Sequence, residues 1–223
     1  MQLGTHYIVA TPIGNLSDIT LRAIETLKSV DLILCEDTRV TSKLLAHYAI
    51  TTPTMSYHAH SDETKLQKIR KNLEEGKNIA LVTDAGTPGI SDPGNKLISD
   101  FRFQISNLQI VPIPGASAVI TALSISGFPT DRFIFLGFPP HKKRRKQFFQ
   151  EVADAEYTVA FYESPHRIKK TLNELASAVG NDPRICVCRE LTKKFESIYR
   201  GTIDEIIAMN IPEKGEFVLL IAK

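Results

Sequence analysis

Residues 83–94, TDAGTPGISDPG, pack three glycines, two prolines, two aspartates, two threonines and a serine into twelve positions, with no lysine or arginine among them. Glycine admits close approach and positive φ, and proline fixes φ, so Gly86, Pro88, Gly89, Pro93 and Gly94 describe a rigid surface. The apolar run 78–82 precedes it and reads as a buried strand. A strand that empties into so rigid a loop, with Asp, Thr and Ser side chains gathered on it, reads as building a site.

Four further loops each follow an apolar run: TPIGNLSD at 11–18, EDTR at 36–39, PGASA at 114–118 and ESPHR at 163–167. Loops at the carboxyl ends of strands are where open α/β sheets bind ligands. None matches a phosphate loop, and 11–18 lacks the later glycines of the dinucleotide pattern. Glu36 and Asp37, with Arg39 as a phosphate or carboxylate partner, are candidates for proton transfer. They equally form a capping and salt-bridge cluster. Asn15, Ser17 and Asp18 are candidates for substrate contact, and Ser17 or Asp18 also reads as a helix cap.

Two other groups could carry different chemistry. His58, His60 and Asp62 resemble part of a metal-dependent hydrolase pattern, but Glu63 stands where another histidine is needed, so no metal site is expected. Lys142, Lys143, Arg144, Arg145 and Lys146 form the one block of like charge, suited to phosphates or to a solvated helix start. A non-catalytic RNA-binding protein would use that block alone and leaves the loop at 83–94 unexplained.

The elements that must hold these loops are legible from periodicity. Strand-like runs fall at 6–10, 32–35, 54–57, 78–82 and 109–113, and helical stripes at 19–30, 42–48, 64–75 and from about Asn95. That alternation predicts a parallel sheet with helices on both faces over residues 1–112. Pro112, Pro114 and Gly115 mark the expected boundary. Residues 113–223 begin with an apolar helix at 117–126. Strands at 132–137, 158–162, 184–189, 198–202 and 217–221 follow, several without intervening helices, which predicts a mixed sheet. A helix beginning with Ser164 as N-cap and Pro165 at its first position, and a short one at 203–209, complete the set. The fold class is therefore α/β, in two domains with a ligand cleft between them.

With 223 residues, 43% of them hydrophobic, and a net charge of +2, each half can bury a core. No apolar run is long enough for a membrane span or signal peptide, so a soluble, cytoplasmic protein is expected. Cys35, Cys186 and Cys188 read as core residues, the last two facing the same way on a strand.

The strings VATPIGNLSDITLRA, LILCEDTR, VTDAGTPGISDPG, PGASA, FYESPHRI and GEFVLL, in this order, resemble the tetrapyrrole methylase superfamily. Within it they are similar to the ribosomal RNA small subunit methyltransferase I branch. Thr83 stands where that branch usually has serine, which keeps the hydroxyl. Corrin-methylating relatives have aspartate at the place of Thr87, which speaks against a corrin substrate. The resemblance implies a dimeric two-domain enzyme that binds S-adenosylmethionine between its domains and methylates a cytidine 2′-hydroxyl in small-subunit ribosomal RNA. It implies a donor site at Pro12, Asp84, Gly86, Thr87, Pro88, Ile90, Ser117, Ala118, Tyr162 and Glu163. RNA contacts are expected at Asn15, Asp18, His58, Lys142, Lys143, Arg144 and Arg145.

Overall fold

The computed structural model describes residues 2–58, 63–91, 97–99, 101, 105–180 and 182–223. The chain divides into two units, Met1–Ser117 and Ala118–Lys223. The boundary falls later than residue 112 because Pro112 lies inside a strand. That strand is at the sheet edge, where a missing N–H is tolerated.

In the first unit, β1 (Thr5–Val9), β2 (Leu32–Cys35), β3 (Thr54–Ser56), β4 (Ile79–Leu81) and β5 (Gln109–Ile113) form one sheet of order β3-β2-β4-β1-β5. All its pairings are parallel. Alternation along the strands sends Val9, Ile33 and Cys35 to one face, against Ala23 and Leu27 of α1 (Leu21–Ser29) and Leu45 of α2 (Thr38–His47). Ile8, Leu34, Ile79 and Leu81 face the other way, against Ile69 and Leu73 of α3 (Glu63–Glu74) and against Leu97 and Phe101. Residues 97–99 are helical, and the expected helix start near Asn95 lies outside the described residues.

This strand order creates a switch point. The chain leaves β1 toward β2 on one side and leaves β4 toward β5 on the other, while β1 and β4 are neighbours. The connections out of these neighbouring strands leave to opposite faces of the sheet, α1 to the face of Val9 and residues 97–99 to the face of Ile8, which makes the carboxyl edge here the candidate binding edge.

In the second unit the order is β6-β7-β10-β8-β9, comprising β6 (Phe133–Phe135), β7 (Thr158–Glu163), β8 (Arg184–Arg189), β9 (Ser197–Thr202) and β10 (Phe217–Ile221). Only β6 and β7 run parallel, so the sheet is mixed. One face packs on α5 (Arg145–Asp154), α6 (Ile168–Val179) and α7 (Ile203–Ala208) through Phe148, Phe149, Val152, Leu172, Leu175 and Ile206. Helix α4 (Ala118–Ser126) lies against β7 and β10. Cys186 and Cys188 are buried free thiols on β8, with Sγ atoms 3.7 Å apart. No helix among the described residues is long and apolar enough to cross a membrane.

Candidate functional site

At the carboxyl edge of the first sheet, the loops after β1 and β4 are stitched together. Thr11 and Gly86 form an isolated antiparallel bridge, exchanging N–H···O bonds of 2.9 and 3.1 Å. Thr11 Oγ1, buried, donates to the Thr83 carbonyl at 3.0 Å. Gly86 has φ +88° and Gly89 φ +90°, a region that side chains rarely enter, so these two glycines set the course of the loop. Ser91 also has positive φ, at 64°. The loop after β5 joins through Thr87 Oγ1, which donates to the Ala116 carbonyl at 3.3 Å. Gly115 lets the same loop close on the end of β1, since a Cβ there would sit 3.0 Å from Ala10 Cβ. Pro12, Pro88 and Gly89 are buried, while Asp84, Ala85 and Ile90 are exposed.

The loop after β2 joins from the other side. Asp84 Oδ1 accepts the Asp37 backbone N–H at 3.1 Å, and Thr83 Oγ1 donates to Glu36 Oε2 at 3.4 Å. Asp37 also N-caps α2 by accepting the Arg39 N–H at 2.8 Å, and it takes the Arg39 guanidinium as a fork, with Nη2 at 2.7 Å. Hydrogen bonds from Arg39 hold the Asp37 carboxyl down to about 2. Helix α2 therefore starts at Thr38, four residues earlier than the apolar spacing suggests. In the first loop Asn15 accepts the Ser17 N–H at 3.1 Å and caps a 3₁₀ turn, Leu16–Asp18. The cap of α1 is Thr20, not Ser17 or Asp18.

The second unit gathers a different cluster at the end of β7. Glu163 is 1% exposed and accepts from Thr171 Oγ1 at 2.5 Å, from the Ser164 N–H at 2.6 Å and from Arg167 Nη2 at 2.8 Å. Arg145 is also buried: its Nη2 donates to Thr171 Oγ1 and its Nε to Glu174 Oε2, both at 2.6 Å. Ser164 forms no side-chain cap. Its Oγ accepts from Arg167 Nε, and a 3₁₀ turn, Pro165–Arg167, precedes α6. Tyr162 lies edge-on to Phe135 and Phe138, with centroids 4.9 and 5.4 Å away, and burial pushes its phenol up.

Residues 5–207 match the family model described as tetrapyrrole (corrin/porphyrin) methylases. The chain belongs to the tetrapyrrole methylase family. It is 51% identical to the "Ribosomal RNA small subunit methyltransferase I" of Synechocystis sp., over 99% of this chain and 79% of that one. Its identity to the Bacillus subtilis protein of the same name is 49%, over 98% and 75%. Among solved structures, the cobalamin biosynthetic enzyme cobalt precorrin-4 methyltransferase superposes with TM-score 0.69 at 20% identity, covering 98% and 94% of the two chains. Uroporphyrin-III-C-methyltransferase from Thermus thermophilus gives 0.70 at 15%, covering 99% and 94%. These two share the fold.

Against the residues expected from sequence, this tetrapyrrole methylase brings Glu36, Asp37, Asp84, Gly86 and Thr87 into one hydrogen-bonded group around the switch point. Ser117 ends the first unit and Ala118 opens α4. His58 is exposed beyond β3, two strands from β4, and His60 and Asp62 lie outside the described residues. Lys142, Lys143, Arg144 and Lys146 are exposed, and no ion pair joins them to a described residue. Arg145 departs from the run by turning inward. The missed signal is its spacing: 145, 148, 149 and 152 make one helical stripe, so Arg145 belongs to the buried face of α5. Thr171 and Glu174 were missed with it, because nothing in their local sequence marks them as partners of a distant arginine.

Proposed function

We propose that this methylase transfers a methyl group from S-adenosylmethionine to the 2′-hydroxyl of a cytidine in small-subunit ribosomal RNA, as a cytoplasmic homodimer. The observation that carries the reading is the 49–51% identity, along nearly the whole chain, to proteins named for ribosomal RNA small-subunit methylation. The corrin and porphyrin enzymes, at 15–20%, share only the fold, so a tetrapyrrole substrate is disfavoured. Family membership likewise disfavours a hydrolase built on His58, His60 and Asp62.

The first unit fits the donor chemically. Its carboxyl edge offers the exposed carboxylate of Asp84, a bridged backbone at Thr11 and Gly86, and the exposed apolar edge of Ile90, with no lysine or arginine in the loop. A sulfonium is cationic and an adenosine needs acceptors and an apolar face, so these donors and acceptors match. When bound, S-adenosylmethionine supplies a methyl carbon that bonds to the ribose oxygen as its bond to sulfur breaks, while the hydroxyl proton passes to a base. Pro12, Gly86, Thr87, Pro88, Ser117, Ala118 and Tyr162 are assigned to hold the donor, and Asn15, Asp18 and His58 to contact RNA. Glu36, held beside Thr83, is assigned to accept the proton. Asp37 is not, because a carboxyl held near 2 is a weak base at neutral pH.

Lys142, Lys143 and Arg144 are assigned to RNA phosphates. They sit before the N-terminus of α5, where positive charge opposes the helix dipole, and Phe138 on the same loop exposes half of its ring for stacking. The test is transfer of labelled methyl groups to small-subunit particles from a strain lacking the gene. A 2′-O-methyl group blocks alkaline cleavage, so the label should appear in an alkali-resistant dinucleotide containing cytidine. Label released as a mononucleotide would place the methyl on a base and refute the reading.

A further inference from the structure

Glu163 lies in the stretch that the family resemblance assigns to the donor, yet its side chain has no exposed surface and faces two guanidiniums. Arg167 Nη2 lies at 2.8 Å and Arg145 Nη2 at 3.6 Å. Each arginine spends another N–H on the same dipeptide. Arg167 Nη1 donates to the Pro139 carbonyl at 2.9 Å, and Arg145 Nη1 donates to the Pro140 carbonyl at 3.0 Å. Prolines have no N–H, so their carbonyls are the only backbone groups by which this segment can be gripped.

Immediately downstream stand the exposed Lys142, Lys143 and Arg144. Arg144 has φ 64°, a left-handed backbone unfavourable for a side chain, and Arg145 then turns inward. The basic segment is thus held at its entrance by two carbonyls and at its exit by a buried guanidinium. A buried ionic cluster adds little net stability over an apolar one of the same shape. What the carboxylate does supply is direction: it meets Arg167 directly and reaches Arg145 through the Thr171 hydroxyl, which accepts from Arg145 Nη2 and donates to Glu163 Oε2.

We propose that Glu163 is a positioning residue for the RNA substrate. It orients Arg145 and Arg167, these hold Pro139 and Pro140, and the loop so held presents Lys142, Lys143 and Arg144 to the phosphates. The inference rests on the assignment of those three residues to RNA given above.

The test uses the full chain with Glu163→Gln, with the triple change Lys142→Ala, Lys143→Ala and Arg144→Ala, and with all four together. KM and kcat are measured on small-subunit particles and donor affinity by calorimetry. Glu163→Gln should raise KM for the particle about tenfold while leaving the donor Kd within about twofold. Added to the triple variant it should change KM no further, because its effect passes through the residues already removed. Weakened donor binding, an unchanged KM, or full additivity with the triple change would each overturn the inference. A triple variant with normal KM would instead refute the assignment of the run to RNA, and the inference with it. If Glu163→Gln does not fold, Arg167→Lys releases Pro139 from the same network and carries the same comparisons.

Discussion

Thr11 and Gly86 exchange both of their backbone hydrogen bonds across the switch point, at 2.9 and 3.1 Å. The bridge joins the loops after β1 and β4 and requires Gly86 at φ +88°. A Cβ there would meet Ile13 Cγ2 at only 3.5 Å, ordinary contact, so the cost of Gly86→Ala is conformational and not steric. It should destabilise the loop by about 1–2 kcal/mol. Calorimetry should show S-adenosylmethionine affinity falling about tenfold, the equivalent of about 1.4 kcal/mol.

Glu36 and Asp37 are adjacent in sequence but differ in what surrounds them. Asp37 caps α2 and is forked by Arg39, which keeps it ionised throughout the neutral range. Asn at an N-cap is as good as Asp. Asp37→Asn should therefore fold, keep kcat within a few-fold, and leave the pH–rate profile between pH 5 and 9 unchanged. Glu36→Gln should lower kcat about 100-fold with little change in donor affinity, the lower end of the contribution of a general base. Single-turnover rates on particles separate the two.

The contrast shows which parts of the molecule are legible in the sequence. Strands β2, β8 and β10 coincide with their apolar runs, because a buried strand needs only a short continuous run between turn residues, and β5 coincides too although it is an edge strand with only Ile113 buried. The loops after β1, β2, β4 and β5 are legible as loops at the strands' carboxyl ends for the same reason, and the structure joins them by hydrogen bonds. What was hidden depends on long-range partners. Asp37 looks like a base until its bond to Arg39 is seen, and Glu163 looks like a ligand until Thr171, Arg145 and Arg167 are seen around it. Periodicity places a residue on a face but does not say what stands opposite.

His6 carries an acid-stability prediction. It is fully buried on β1, its ring 6.1 Å from that of Phe101, and neither ring nitrogen has a hydrogen-bond partner among the described residues. Burial lowers its pKa to about 4. The folded state thus disfavours the proton that the unfolded chain accepts below about 6.5. Stability from this group is complete above pH 6.5 and is lost as pH falls toward 4, by roughly 3 kcal/mol in all. Urea unfolding of His6→Leu at pH 7.5 and 5 should show a smaller loss than the parent. An equal loss in both would assign the acid limb to other groups.

Arg145 and Lys146 are adjacent basic residues whose substitutions should differ sharply. The Arg145 side chain is 6% exposed and faces the enclosed Glu163 and the half-buried Glu174, whereas Lys146 faces solvent. Removing one partner from a buried ionic cluster leaves an uncompensated charge, so Arg145→Ala should cost about 3–5 kcal/mol in denaturant unfolding. Lys146→Ala should stay within about 0.5 kcal/mol. If Arg145→Ala is accompanied by Glu174→Gln alone, Glu163 keeps its pair with Arg167, the cluster is again neutral and much of the stability should return. RNA binding should not return with it, since the grip on the Pro140 carbonyl is still lost. Recovery of stability without recovery of RNA affinity would separate the ionic cluster's part in folding from its part in holding the basic loop.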